Sequence, residues 1–168
     1  MRYVDFDGVI LDTEDILFYN WRLNPNRKSL TEKDKIEYIK QSNWKQIINE
    51  AKEINDALYI LKNSSILDYT ILTKIHSLEN EGYEKIKFLR SKGIKQNIIL
   101  VPYLLRKTDI VSAKDNILID DSIKNLIDFE LDGGYSMFFN KDDLDYDNFG
   151  IKNTKPFQKV RRIDDKKE

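Results

Sequence analysis

The sequence predicts an α/β protein with a three-layer, Rossmann-like parallel sheet and a small group of helices inserted after its first strand. Short β-branched and aromatic runs alternate along the chain with longer runs of helical spacing, a pattern typical of parallel sheets covered by helices. Residues 14–62 are the exception, since helical spacing continues there with no strand pattern. Polar residues recur where the strands end, which is where active sites lie in such sheets.

Five short segments have the composition of strands. β-branched and aromatic side chains dominate them, and polar residues or glycines bound most of them. The predicted strands are 1–6, 66–73, 97–101, 116–119 and 135–139. Helices separate most of these strands, so we expect a mostly parallel sheet.

The inserted segment is predicted to be helical throughout. A first helix should stop by about Asn24, because Pro25 disfavours helical backbone at the residue before it. Thr31 and Asp34 have the spacing of an N-terminal capping box. Apolar residues at three- and four-residue intervals predict one amphipathic helix over 43–62.

Two further helices should cover the sheet. A helix over 77–91 would end at Gly93, a natural C-terminal stop. Ser122 can cap a helix that runs through Leu131. Their alternation with the later strands completes the layered arrangement.

Composition excludes several classes of protein. The chain has 168 residues and no cysteine, so disulfide frameworks, thiolate metal sites and cysteine nucleophiles are excluded. A hydrophobic share of 40% and a mean hydropathy of -0.58 fit a folded, soluble protein. No apolar run approaches the roughly 20 residues of a membrane helix, so no membrane association is expected.

Charge and the N-terminal residues bear on partners and location. The formal net charge is -1, from 28 basic and 29 acidic residues, which gives no argument for binding a nucleic-acid polymer. Asp5 and Asp7 stand where a signal peptide would need an uncharged apolar stretch. We therefore expect a cytoplasmic protein.

The residues at the strand ends form a candidate site. Asp5 and Asp7 end the first predicted strand, Thr73 the second, and Asp120 and Asp121 the fourth. Two carboxylates about 4 Å apart repel each other by about 4 kcal/mol at an effective dielectric constant of about 20. Such a group persists by raising its pKa values or by holding a cation. Oxygen ligands without histidine or cysteine favour Mg²⁺ over zinc.

Three motifs in this sequence resemble those of the haloacid dehalogenase-like (HAD) phosphohydrolase superfamily. The run DFDGVILDTE over 5–14 resembles the first motif, ILT over 71–73 the second and ILIDDS over 117–122 the fourth. They occur in the family's order at predicted strand ends, and the resemblance spans about residues 1–140. It implies a HAD-like core with a small helical cap of the C1 type.

The resemblance also implies roles for the residues at the strand ends. Asp5 would be the nucleophile that takes the phosphoryl group, and Asp7 the general acid and base. Thr73 would hydrogen-bond the phosphoryl oxygens. Asp5, Asp120 and the backbone carbonyl of Asp7 would hold Mg²⁺, with Asp121 in support.

The catalytic lysine that the family requires has two candidates here. The segment 106–113, RKTDIVSA, resembles the third motif of the 5'(3')-deoxyribonucleotidase-type branch and assigns the role to Lys107. The gap before the Asp pair is longer than in that branch, so Lys114 stays open as the alternative. The DTE sequence over 12–14 instead suits the phosphoglucomutase-like branch, whose third motif is missing from this chain.

These motifs divide the chain and suggest its substrates. The catalytic core would comprise 1–12 and 66–150, the cap 13–65, and a charged C-terminal tail 151–168. The expected substrate is a small phosphorylated metabolite, with a nucleoside monophosphate favoured by the Lys107 segment. Alternatives are a phosphatase or mutase for sugar phosphates or other small metabolites, and a catalytically silent binding module, against which the presence of both Asp5 and Asp7 argues.

Overall fold

The β-branched and aromatic segments form strands, and they do so in a single sheet. The computed structural model of the chain describes residues 1–139. The strands in that range are β1 (Arg2–Val4), β2 (Tyr69–Ile75), β3 (Asn97–Pro102), β4 (Ile117–Asp120) and β5 (Tyr135–Phe138). All neighbouring pairs are parallel, and the order is β3-β2-β1-β4-β5. The predicted fold class is confirmed, with β1 at the centre of the sheet.

Helices lie in the connections from β1 to β2, from β2 to β3 and from β4 to β5. Those inserted between β1 and β2 are α1 (Thr13–Leu17), α2 (Tyr19–Leu23), α3 (Glu32–Gln41), α4 (Trp44–Glu50) and α5 (Ala57–Asn63), and those after β2 are α6 (Tyr83–Ser91) and α7 (Ile123–Leu131). Short 3₁₀ turns occupy Arg27–Ser29 and Lys107–Asp109, and a π-helical turn, Leu78–Gly82, leads into α6. Both predicted helix caps are present, at Thr31 and at Ser122.

The prediction of one continuous helix over 43–62 is wrong. The chain leaves the helical conformation at Ala51 and resumes it at Ala57. Between them, Lys52 accepts a hydrogen bond of 2.9 Å from the Asp12 backbone N–H, and the Ile54 N–H donates one of 3.0 Å to Ile10. The helix breaks because its middle pairs with the loop after β1. That loop carries the residues of the first motif.

The second strand begins later than predicted. Residues 65–68 form a turn instead, in which the Asp68 carboxylate accepts a hydrogen bond of 3.0 Å from the Ser65 N–H. Ile66 and Leu67 are exposed in this turn. Their apolar composition resembles that of a strand, but the side chains do not enter the core.

The core lies on both faces of the sheet. On one face, α6 and the inserted helices contribute to a single buried cluster with the sheet, which includes Val4, Trp44, Ile47, Ile71 and Leu89. The other face packs against α7, through Leu72, Leu118, Leu126 and Phe129. This gives the three layers expected. The assignment of 13–65 as a cap stays a prediction.

Two further sequence-based expectations concern membrane-spanning helices and the C-terminal tail. Within residues 1–139, no helix is both long and apolar enough to cross a membrane. The predicted C-terminal tail, 151–168, and the last part of the predicted core lie outside the described residues.

The register of the sheet determines which side chains meet. Val4 of β1 pairs with Ile71 of β2 on one side and with Ile119 of β4 on the other. The chain therefore leaves the central strand at the level where β4 reaches Asp120. The first and fourth motifs meet for this reason at the carboxyl ends of the strands.

Candidate active site

Three carboxylates converge at the carboxyl ends of β1 and β4. Asp5 follows β1, and its N–H donates a hydrogen bond of 2.9 Å to the carbonyl of Ile119. Asp120 ends β4 and Asp121 follows it. One oxygen of each carboxylate lies within 4.8 Å of the others. We call these three residues the acidic cluster. The carboxylate of Asp7, a fourth predicted metal-site residue, is not part of it.

Lys107 is the lysine that reaches this cluster. The short 3₁₀ turn Lys107–Asp109 buries its side chain, with Nζ at 2.9 Å from Asp5 Oδ1 and 2.6 Å from Asp120 Oδ2. Lys114 is exposed, in the loop that precedes β4. Of the two candidates, the structure places only Lys107 beside the predicted nucleophile.

The acidic cluster carries more negative charge than Lys107 balances. Burial raises the pKa of Asp5 to about 7, with Lys107 opposing the rise and Asp120 adding to it. Burial likewise raises the pKa of Asp121 to about 9, and repulsion from Asp5 and Asp120 contributes. A carboxylate pKa in this range means that the ionised form is unfavourable without a further cation.

One oxygen of the cluster has an ion pair as its contact. Asp5 Oδ1 is buried and accepts no hydrogen bond of good geometry, although Lys107 is close. A carboxylate oxygen has two lone pairs, so this oxygen keeps the capacity to bind a further cation. Hard oxygen ligands with excess negative charge suit Mg²⁺, so the residues of the acidic cluster fit this ion.

Gly8 leaves the space that Asp121 occupies. Its backbone has a φ of +71°, which side chains rarely tolerate, and a Cβ there would lie 2.0 Å from Asp121 Oδ2. Gly8 of the first motif is therefore needed for the position of Asp121 in the fourth motif.

Asp120 is held more firmly than its neighbours in the cluster. Its Oδ1 accepts a hydrogen bond of 2.8 Å from the Ser122 N–H, and its Oδ2 accepts one of 3.0 Å from Asn125 Nδ2. Together with Lys107, these donors fix the carboxylate on both sides. Asn125 lies in the first turn of α7, so this helix helps to orient the site.

Asp7 lies in a second group of polar residues. Its Oδ1 accepts a hydrogen bond of 2.6 Å from the Thr13 hydroxyl, and its Oδ2 pairs with Lys85. Thr73 Oγ1 is 3.5 Å from Asp7 Oδ2, and Lys85 also pairs with Glu81 Oε1 at 2.7 Å. We call these five residues the Lys85 cluster. Thr73 and Asp7, both candidate catalytic residues from the sequence, therefore lie side by side.

Lys85 and Glu81 were not identified from the sequence as residues of the site. The apolar pattern gave no signal for them, because Leu78, Tyr83 and Ile86 of the same segment are exposed while Glu81 and Lys85 are buried. A lysine on the buried face of an amphipathic helix requires a partner, since an unpaired buried charge is unfavourable. That partner could not be named without the fold.

Comparison with known proteins supports the fold. No protein-family model matches the chain, and no curated protein matches it. One similar solved structure is a HAD hydrolase, family IA, variant 3, from Entamoeba histolytica, with a TM-score of 0.55, 13% identity and 84% of each chain covered. Another is a HAD-superfamily hydrolase from Ehrlichia chaffeensis, with a TM-score of 0.50 and 17% identity, covering 88% of this chain and 91% of that one. The chain folds like HAD-superfamily hydrolases.

Proposed function

We propose that the chain is a Mg²⁺-dependent phosphomonoester hydrolase that acts through an aspartyl-phosphate on Asp5. The observation that carries this proposal is the setting of Asp5, whose buried carboxylate lies beside Lys107 and two further carboxylates. Stability alone does not favour such a group, because buried charges are costly unless fully paired. The hydrolases that share the fold support the same class of reaction.

The first half of the reaction would transfer the phosphoryl group to Asp5. A carboxylate oxygen of Asp5 attacks phosphorus, and the bond from phosphorus to the substrate oxygen breaks. Asp7 gives a proton to that leaving oxygen. Thr73 donates a hydrogen bond to the phosphoryl oxygens, and Lys107 offsets their negative charge.

The second half would release phosphate. Asp7, now ionised, takes a proton from a water molecule as that water attacks phosphorus, and the bond to Asp5 breaks. Asp5, Asp120, Asp121 and the carbonyl of Asp7 would hold Mg²⁺, which when bound neutralises charge on the phosphoryl oxygens. The reaction consumes one water molecule and regenerates both carboxyl groups.

The proposed substrate is a small phosphorylated metabolite. A nucleoside monophosphate is favoured because the segment around Lys107 resembles that of the deoxyribonucleotidase-type branch. A sugar phosphate is the second candidate, because Thr13 of the DTE sequence hydrogen-bonds Asp7 directly and so gives that motif a place in the site.

Phosphate release from a panel of substrates tests the proposal. Purified protein would be assayed with nucleoside monophosphates and sugar phosphates, with Mg²⁺ and with a chelator. We expect release that requires Mg²⁺ and is lost in the Asp5→Asn variant. Absence of metal-dependent release from every substrate would instead favour a silent binding module. Normal release by Asp5→Asn would refute the nucleophile.

A further inference from the structure

A second buried lysine lies next to Asp7, and the proposed reaction does not use it. Lys85 of α6 has no exposed surface. Its Nζ pairs with Asp7 Oδ2 and with Glu81 Oε1 at 2.7 Å, and lies 3.1 Å from the carbonyl of Lys74 and 3.3 Å from Thr73 Oγ1. An ammonium group has three N–H donors, so these acceptors occupy all of them.

The position of Lys85 is itself determined by its surroundings. Glu81, one turn earlier, is buried and also accepts a hydrogen bond of 2.7 Å from the His76 N–H. The π-helical turn Leu78–Gly82 carries Glu81 into this position, and such turns are frequent at functional sites. The rings of Phe6 and Trp44 lie 5.3 and 5.1 Å from Nζ. The ammonium group is therefore held between fixed neighbours.

Both carboxylate oxygens of Asp7 accept hydrogen bonds. The Thr13 hydroxyl donates to one oxygen and Lys85 to the other. We propose that Lys85, held by Glu81, is a positioning residue that orients the carboxyl group of Asp7 toward the leaving oxygen of the substrate. This inference rests on the proposed function and adds no bond-forming step to it.

A purely structural reason for this arrangement is weak. Replacing a buried ion pair by apolar residues of similar size is often neutral or stabilising. Here, however, Lys85 pairs with Asp7, and the proposed reaction needs the carboxyl group of Asp7 in a defined orientation. A proton donor misplaced by about 1 Å loses much of its effect, so fixing Asp7 has a direct kinetic consequence.

The leaving group of the substrate provides the test. p-Nitrophenolate departs without protonation, whereas the alkoxide of glycerol phosphate needs a proton from Asp7. The kcat/KM value reports the transfer to Asp5, the step in which that proton is used. In Lys85→Met we expect kcat/KM for glycerol phosphate to fall by about 10²-fold, within the usual contribution of general acid catalysis. For p-nitrophenyl phosphate we expect a fall of less than about 10-fold.

Control variants separate positioning from folding. Lys87→Met removes an exposed lysine of the same helix and should leave both substrates unaffected. The double variant Lys85→Met, Glu81→Gln leaves no unpaired charge on Glu81 and should show the same selective loss. Glu81→Gln alone should show a smaller one. Within an Asp7→Asn background, Lys85→Met should add no further selectivity.

Each result decides between the two roles. The comparison uses the variants that fold as the wild type does. If kcat/KM falls equally for both substrates, or does not fall, the positioning role is overturned and the proposed function stays intact. If glycerol phosphate is not hydrolysed, the best nucleoside or sugar phosphate of the panel takes its place, since its leaving group is also an alkoxide. A wild-type protein inactive on every substrate would instead count against the proposed function itself.

Discussion

The two buried lysines of the site have different surroundings. Lys107 pairs with Asp5 and Asp120, and a third carboxylate, that of Asp121, lies beside these two and has a pKa raised to about 9. Lys85 pairs with two carboxylates, those of Asp7 and Glu81. Burial alone would lower the pKa of Lys85, but the attraction of those two carboxylates outweighs it and raises the pKa.

The two clusters differ in how many of their carboxylates pair with a lysine. The Lys85 cluster has one ammonium group for two carboxylates, and that ammonium group pairs directly with both of them. The acidic cluster has three carboxylates, of which Lys107 pairs with two, and a divalent cation would offset the larger excess of negative charge. A group whose carboxylates all pair with a lysine suits fixed orientation, whereas a group with an unpaired carboxylate suits binding of a cation and a phosphoryl group.

The largest effect is expected from removing the lysine of the acidic cluster. Lys107→Met should lower kcat by about 10²–10³-fold, the usual cost of losing one charge-stabilising donor. Lys114→Met is the matched control, because that side chain is exposed seven positions further along the chain, and its rate should match the wild type. Steady-state kinetics with the best substrate of the panel would measure both. A larger loss in Lys114→Met would reverse the assignment.

A smaller effect is expected from filling the space beneath Asp121. Gly8→Ala should cost backbone strain of about 1–3 kcal/mol and should also displace Asp121, since the new Cβ would lie 2.0 Å from its oxygen. Gly93 has a similar φ of +78°, but a Cβ there meets nothing nearer than 3.7 Å. Gly93→Ala should therefore lose stability alone.

Thermal unfolding and Mg²⁺ titration would separate the two glycine variants. We expect weaker Mg²⁺ binding in Gly8→Ala and unchanged binding in Gly93→Ala. Equal Mg²⁺ affinity in both would show that Asp121 does not support the ion.

Much of this comparison could be predicted from the sequence, and the reason is the geometry of parallel sheets. Asp5 and Asp120 meet because parallel strands align their ends, so residues that end predicted strands could be grouped without coordinates. The contacts of Lys85 could not be predicted, since they depend on how a helix packs beneath Asp7. Local spacing does not reveal the break in the helix over 43–62 for a similar reason, because backbone pairing with the loop after β1 overrides helical spacing.

The two groups should also respond oppositely to pH. Since the folded pKa of Asp121 is about 9 against an ordinary 3.8, the folded state binds the extra proton between these values. Its contribution to stability is present below about pH 4 and is lost as pH rises to about 9. Burial raises the pKa of Glu81, but Lys85 and His76 outweigh this and lower it, so its contribution is lost as pH falls below its ordinary 4.5.

Melting temperatures of metal-free variants would measure these opposite slopes. Relative to Asp121→Asn, the wild type should become less stable as pH rises from 4 to 9, and saturating Mg²⁺ should remove that trend. Relative to Glu81→Gln, the wild type should keep its advantage at neutral pH and lose it in acid. Parallel pH curves for all three proteins would contradict the difference in charge balance.

The smallest effect is expected from the donor that braces Asp120. Asn125→Ala removes the 3.0 Å hydrogen bond to Asp120 Oδ2, while Lys107 and the Ser122 N–H still hold the carboxylate. We expect Mg²⁺ affinity to fall by about 10-fold, the lower end for losing a partner of a metal ligand. Asn63→Ala removes an exposed asparagine that donates to a backbone carbonyl in α5 and should leave the affinity unchanged. If Asn125→Ala also left it unchanged, the acidic cluster would be held by Lys107 and the backbone alone, and its orientation would not depend on α7.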